Sequence, residues 1–326
     1  MKPLSSKIRI FLLKNHNILK IDDFNYGVFK ASVMTSIIIY EKTSEPLKNN
    51  KILVRAKIPN NESLLSLKPI ILKQNDFCKI DGYYFNIYQD KKFSGIYNKV
   101  KTISKVVSLG NLAEIYNGIQ TGNNKKFIST SKQNDIWQKI LTGRDINRYV
   151  KQWGGKYIYY KPEKLHSNQR YDIYKTPEKI IIRQTADKII ATLDTEEYFT
   201  EATTFIIKQF DKLIDYSCLL GILNSKLFLY FYRNINNEEG RILPQIKKKH
   251  IFDLPIITGY SGKHNKLVSL VEKILELKQK EAAEPNQQIK TMISRQTEGI
   301  DKAIDTAVYA LYDLSEDEIK VVEGER

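Results

Sequence analysis

The stretch Tyr116-Asn117-Gly118-Ile119-Gln120-Thr121-Gly122-Asn123-Asn124-Lys125-Lys126-Phe127 holds the most suggestive grouping of recognition chemistry in the chain. Gln120, Asn123 and Asn124 carry paired donor and acceptor groups, which is what bidentate readout of an adenine edge requires. Two glycines four apart let a loop turn tightly and approach a phosphate, with Thr121 between them. Lys125 and Lys126 suit the adjacent phosphates. A Gly/Asn-rich hairpin with solvated lysines is the competing reading. Arg144, Arg148 and Arg183 can fork onto guanine edges or clamp phosphates, and Gln184 follows Arg183. Asp145 stands beside Arg144, so an internal ion pair competes there, whereas Arg183 ends an apolar strand and is expected at a sheet edge. Lys247, Lys248 and Lys249 form a basic run whose ordinary reading is a solvated face and whose functional one is phosphate contact.

Catalysis asks for patterns that the chain lacks. An amino methyltransferase that uses S-adenosylmethionine needs a Gly-rich turn for the cofactor and an Asn/Asp-Pro-Pro-aromatic loop for the target amino group. All nine prolines are isolated and no Gly-x-Gly occurs. Neither a Gly-x-Ser-x-Gly elbow nor a Gly-x-x-x-x-Gly-Lys phosphate loop is present. His16, His166, His250 and His264 do not fall at metal-ligand spacing. Pro162-Glu163-Lys164 and Pro177-Glu178-Lys179 lack the acidic residue that would precede a nuclease motif. No catalytic, cofactor or metal residue is assigned.

The charge agrees with a polyanionic partner. The 326 residues include 52 Lys+Arg and 37 Asp+Glu, a net of +15. The excess is confined to one part: residues 1–261 carry 42 basic and 24 acidic side chains, residues 262–326 carry 10 and 13. A positive field so placed suits DNA or RNA. A solvated basic surface or general RNA-binding scaffold is the competing explanation. Cys78 and Cys218 are the only cysteines, which excludes a disulfide framework and fits a reducing cytoplasm. No window approaches 18 uninterrupted apolar residues, so neither a signal peptide nor a membrane span is expected.

Four stretches must position these groups, and together they give a mixed α+β fold. Residues 1–45 read as a short amphipathic helix and two strands, Ile18–Phe24 and Ala31–Tyr40. The second is apolar on both faces toward its end, like a buried strand. That set is too small to fold alone and reads as the tail of a larger sheet. Residues 46–105, rich in Lys and Asn, read as a connector with short strands. Residues 106–260 alternate β-branched runs, such as Lys179–Arg183 and Thr203–Ile207, with turns, and include a helix over Ser217–Phe231. Residues 261–326 carry Leu267, Leu270, Ile274 and Leu277 at heptad spacing, a break at Glu284-Pro285-Asn286, and a helix from Ile289. They read as an antiparallel helical hairpin, serving either as a plain packing element or as an interaction surface.

From Leu109 through Ile257 the sequence resembles the TaqI-like C-terminal specificity domain, which follows the catalytic domain in type II and type IIG adenine-N6 DNA methyltransferases. The pieces are Gly118–Gly122, Gly143–Ile146, Ile181–Thr185, Leu220–Lys226 and Leu254–Ile256, in that order and spacing. Ile304–Leu314 is similar to the C-terminus of the same enzymes. Arg9–Leu13, Ile21–Phe24 and Val28 through Ile39 are similar to the segment after their catalytic Asn-Pro-Pro-Tyr loop. The resemblance implies a chain that begins inside the catalytic domain, beyond both active-site loops. It would be inactive alone, reading double-stranded DNA while a methyltransferase half binds S-adenosylmethionine and flips the adenine. A stand-alone specificity subunit, recruiting a separate methyltransferase or nuclease through its hairpin, is the alternative.

Overall fold

The computed structural model describes residues 6–24, 26, 28–29, 35–43, 45–47, 49–60, 63–64, 66–78, 83, 85, 87, 91–167, 170–235 and 245–324. The chain divides into two compact units, Met1–Asp90 and Lys91–Arg326.

In the first unit, helix α1 (Ser6–Asn15) runs directly into strand β1 (His16–Phe24). Strands β2 (Ser36–Lys42), β3 (Lys51–Ile58) and β4 (Ile70–Lys73) complete a sheet of order β2-β1-β3-β4, and the short helix α2 (Gln74–Cys78) follows. Pairing is antiparallel between β1 and β2, parallel between β1 and β3, and antiparallel between β3 and β4. One face meets Leu12, Leu13 and Phe77 through Ile18, Ile21, Ile52 and Val54. Gln74 ties the elements together. Its Oε1 accepts from the Ile18 N–H at 2.8 Å and the Asn50 amide at 2.7 Å, and its Nε2 donates to the carbonyls of Leu13 and His16. A buried side-chain amide with every group paired fixes register without an unmet desolvation cost.

Two sequence readings change here. The stretch read as a connector supplies β3, a strand flanked on both sides; its Ile52-Val54 alternation was obscured by Lys- and Asn-rich flanks. Meanwhile β2 is an edge strand whose Ile37 and Ile39 stand exposed, so apolar character on both faces does not mean burial on both. Residues 31–34, the start of that expected strand, lie outside the described residues.

The second unit opens with helix α3 (Lys91–Thr102), strand β5 (Val106–Ser108), helix α4 (Leu109–Leu112) and strand β6 (Ala113–Asn117). Helix α5 (Asn124–Phe127) and strands β7 (Ile128–Ser129), β8 (Trp137–Leu141), β9 (Ile146–Asn147), β10 (Val150–Lys151) and β11 (Tyr157–Tyr159) follow. Next come helix α6 (Tyr171–Tyr174) and strands β12 (Lys179–Arg183), β13 (Ala191–Asp194), β14 (Phe199–Thr200) and β15 (Thr204–Gln209). The chain then gives helices α7 (Tyr216–Asn224), α8 (Lys226–Ile235) and α9 (Lys248–Phe252), and strand β16 (Pro255–Ile257). Helices α10 (Gly262–Ala283), α11 (Gln287–Leu311) and α12 (Glu316–Glu323) end it.

A central antiparallel sheet of order β13-β12-β15-β6 is covered on both faces. Ile180, Ile182, Phe205 and Ile207 point toward the helices α7, α8, α10 and α11. The alternate residues Ile181 and Ile206 join the clusters beneath the smaller sheet β14-β8-β11-β7. Burial on both faces explains the unbroken Ile180-Ile181-Ile182 run. The expected α+β class and the C-terminal hairpin are both present. Only one end of that hairpin is core: Leu267, Val271, Ile274, Ile304 and Val308 are buried, whereas Ile289 and Met292 are exposed. A Cβ on Gly221 would lie 2.7 Å from Val271 and 3.0 Å from Leu267, so glycine lets α10 approach α7.

The single helix expected over Ser217–Phe231 is two. Ser225 leaves helical geometry, and the Asn224 amide pairs with both the N–H and C=O of Ala191 at 3.0 Å. Asp305 then caps α8, accepting from the Lys226 N–H at 2.8 Å. Burial, helped by the neighbouring charge of Asp301, raises the Asp305 carboxyl to about 6. The unfolded carboxyl releases its proton near 3.8, so between these values the folded state holds the extra proton. Stability therefore falls as pH rises through that window. Asp305→Asn keeps an acceptor for the Lys226 N–H and is expected to stabilise the protein at pH 8 by about 1–3 kcal/mol. At pH 3.5 the variant and wild type should unfold at the same urea concentration.

Candidate nucleic-acid interface

The turn Thr200–Thr204, between β14 and β15, is where the candidate segments meet. The Gly118 N–H donates to the Thr204 carbonyl at 3.0 Å, the Ile119 N–H to Thr200 at 2.7 Å, and the Ala202 N–H back to Ile119 at 2.9 Å. On another side, the Gly143 N–H donates to Thr203 Oγ1 at 2.8 Å, and the Glu201 N–H to the Leu141 carbonyl at 2.8 Å. The Gln184 N–H donates to the Thr203 carbonyl at 2.8 Å, and the Gln184 carbonyl accepts from Ile246 at 2.8 Å. The loops bearing Gln120, Arg144 and Gln184 are thus held to one turn, and the segment bearing Lys247 is held in turn to Gln184.

Their side chains differ in freedom. Gln120 and Arg144 are exposed and form no side-chain hydrogen bond among the described residues. Asp145 does not neutralise Arg144, because its Oδ2 accepts from the Thr142 N–H at 2.6 Å and the Thr142 hydroxyl at 2.9 Å. Lys125 and Lys126 are exposed on α5, with the Lys126 ammonium 5.7 Å from the Phe127 ring. Lys247, Lys248 and Lys249 are exposed at the start of α9. Asn123 caps α5 through the Lys126 N–H. Thr121 is buried and donates to Asn124 Oδ1, while the Asn124 amide donates to Glu201 Oε1 at 2.8 Å. Asn123 and Asn124 therefore shape the loop, and Gln120 is its outward-facing amide.

The two glycines meet different backbone demands. Gly122 adopts a left-handed φ of +75° beside the His166 ring. Gly118 is needed for close approach to the Thr200–Glu201 backbone.

Two arginines are placed otherwise than the sequence suggested. Arg183 ends β12, an interior strand and not a sheet edge, and its Nε donates to the Thr185 carbonyl at 3.0 Å. Arg148 is engaged within the fold. Its guanidinium forms a bidentate pair with Asp301 of α11, both contacts 2.8 Å, and donates to the Asn224 carbonyl at 2.8 Å. Sequence reasoning missed Glu201 and Thr203, whose importance comes from main-chain partners remote in sequence.

Among the described residues no group of His, Cys, Asp and Glu is placed to hold a metal, and no helix is long and apolar enough to cross a membrane. A cavity of about 560 Å³ lies between α10–α11 and the β9–β10 turn. It does not fit S-adenosylmethionine: Arg148–Asp301 and Lys278–Glu281 pairs line it, and no Gly-x-Gly turn borders it.

A strand-rich scaffold thus gathers loop amides and cations around one turn. Residues 138–256 match the TaqI-like C-terminal specificity domain. Among solved structures it is similar to the type IIL restriction-modification enzyme MmeI in complex with DNA, with 11% identity and a TM-score of 0.53, covering 95% of this chain and 46% of that one. It is also similar to the type IIG restriction endonuclease BpuSI, with 10% identity, a TM-score of 0.38 and coverages of 93% and 45%. For the HsdS subunit from Thermoanaerobacter tengcongensis the values are 10%, 0.35, 79% and 58%. The chain spans less than half the length of the MmeI and BpuSI chains, and the MmeI likeness shows a shared fold. No curated protein matches the chain.

Proposed function

We propose that this chain is the sequence-reading part of a restriction-modification adenine-N6 DNA methyltransferase acting on double-stranded DNA in the cytoplasm. The convergence of the Gln120, Arg144 and Gln184 loops on the Thr200–Thr204 turn, a turn within the residues that match the specificity domain, carries the proposal. Gln120 and Arg144 discriminate base edges, while Lys125, Lys126 and Lys247–Lys249 supply phosphate contacts. Methyl transfer and S-adenosylmethionine binding are assigned to a methyltransferase partner or segment, since the residues here do not fit that cofactor.

Selection of bound duplexes from a randomised pool at about 150 mM salt tests this, because salt at that level suppresses nonspecific binding. One enriched motif containing an adenine is expected. Gln120→Ala and Arg144→Ala should each relax one base position, by roughly 1–3 kcal/mol of discrimination. Lys125→Ala should weaken all sequences alike and reduce the salt slope by about one. Arg148→Ala should leave motif and salt slope unchanged, and destabilise the fold by about 1–2 kcal/mol through the lost Asp301 pair. Enrichment of no motif would overturn the proposal.

A further inference from the structure

From the geometry we infer that Glu201 is a positioning residue that couples the two base-reading arms, an inference that rests on the function proposed above. Its carboxylate lies between them. Oε1 accepts from the Asn124 amide at 2.8 Å, and Asn124 in turn accepts from the buried Thr121 hydroxyl. That chain fixes the loop from which Gln120 projects. Oε2 faces the Thr203 hydroxyl at 3.5 Å, and the same hydroxyl accepts from the Gly143 N–H at 2.8 Å, next to Arg144. The Glu201 main chain adds a bond to the Leu141 carbonyl at 2.8 Å, while its own carbonyl accepts from both the N–H and hydroxyl of Thr204.

A carboxylate on a surface meant for phosphates is unfavourable by charge, since it repels the ligand. The bonds it makes give it a structural reason to be there. Main-chain bonds place the arms side by side; the Glu201 side chain sets the Asn124 end against the Gly143 end. Base discrimination needs donors and acceptors held within a few tenths of an ångström of the base edge. Loosening this strut therefore affects selectivity more than stability.

A charge role and a positioning role predict opposite patterns for two substitutions. Glu201→Ala removes charge and hydrogen bonds together. Glu201→Gln removes the charge and keeps an oxygen for the Asn124 amide. The full chain and both variants are titrated with the selected duplex, with single-base-pair variants of it, and with unrelated duplex across a salt series. Both variants should bind unrelated duplex somewhat more tightly. Glu201→Ala is expected to lose roughly tenfold in discrimination at the positions relaxed by Gln120→Ala and Arg144→Ala, and Glu201→Gln to retain most of it. A double-mutant cycle between Gln120→Ala and Arg144→Ala should show coupling in wild type that vanishes in the Glu201→Ala background. Equal discrimination in all three proteins, with an unaltered cycle, overturns the positioning role while the reading function stands. Wild type without any sequence preference overturns both.

Discussion

Replacing Asp194 by alanine is expected to destabilise the second unit by about 3–5 kcal/mol, because it strands a buried ammonium ion. Lys179 and Asp194 face each other across β12 and β13, both wholly buried, with Nζ and Oδ2 2.6 Å apart. The ammonium also donates to the Tyr174 carbonyl at 2.8 Å. Burial lowers the Lys179 pKa, and the Asp194 charge opposes that shift. Without Asp194 burial, joined by the Lys151 charge, outweighs the remaining opposing influence of Glu197. The folded state then binds the Lys179 proton less well than the unfolded state, so stability of Asp194→Ala should rise from pH 7 to pH 9.5. Lys179→Met is expected to cost less, about 1–2 kcal/mol. Its partner carboxylate keeps the Glu196 and Tyr198 N–H groups at 3.1 and 2.9 Å and has the Lys151 ammonium at 3.6 Å. Urea unfolding at the two pH values separates these outcomes. Equal losses for the two variants, without pH dependence, would mean that the ion pair is hydrated rather than buried.

That pair marks a boundary of what the sequence discloses. The run Lys179–Arg183 reads as a strand from its β-branched residues alone, and β12 forms there. Nothing local shows that its first residue is buried, since a strand-end lysine ordinarily reaches solvent. Burial follows from the register Lys179↔Asp194, which places the two charges opposite each other. The same limit explains Arg148. Its type and turn position suit a phosphate or base contact, but Asp301, 153 positions later, occupies its guanidinium. Features set by periodicity or by chain-breaking residues were legible: the hairpin with its break at Pro285, the Ile180–Ile182 strand, and the clustering of candidate loops in the middle of the chain. The start of helix α12 is marked in the sequence by the Ser315–Glu318 capping box. The candidate site was legible in its outward side chains, Gln120 and Arg144, and illegible in its support, because Glu201 and Thr203 act through loops about 60 to 80 residues away.

Gly118→Ala tests that support at its tightest point and should cost about 3 kcal/mol. A Cβ there would lie 2.1 Å from the Glu201 carbonyl oxygen, 2.5 Å from its carbon and 2.7 Å from the Thr200 oxygen. These are backbone atoms of a turn already bonded to Leu141, Ile119 and Thr204, so no side chain can swing away to make room. Relief requires β6 to separate from the turn, losing the Gly118–Thr204 and Ile119–Thr200 bonds. The same substitution at Gly299, in α11 with nothing within 4 Å of the new Cβ, is expected to raise stability by about 0.5–1 kcal/mol, since alanine restricts the unfolded chain and favours helix. The opposite signs exclude a general effect of replacing glycine. Gly118→Ala should also abolish motif selection in protein that remains folded at low temperature, because the Gln120 arm is displaced from the Arg144 arm. If the variant unfolds with wild-type urea dependence and selects the same motif, the Thr200–Thr204 turn does not anchor the reading loops, and discrimination must come from side chains fixed independently of it.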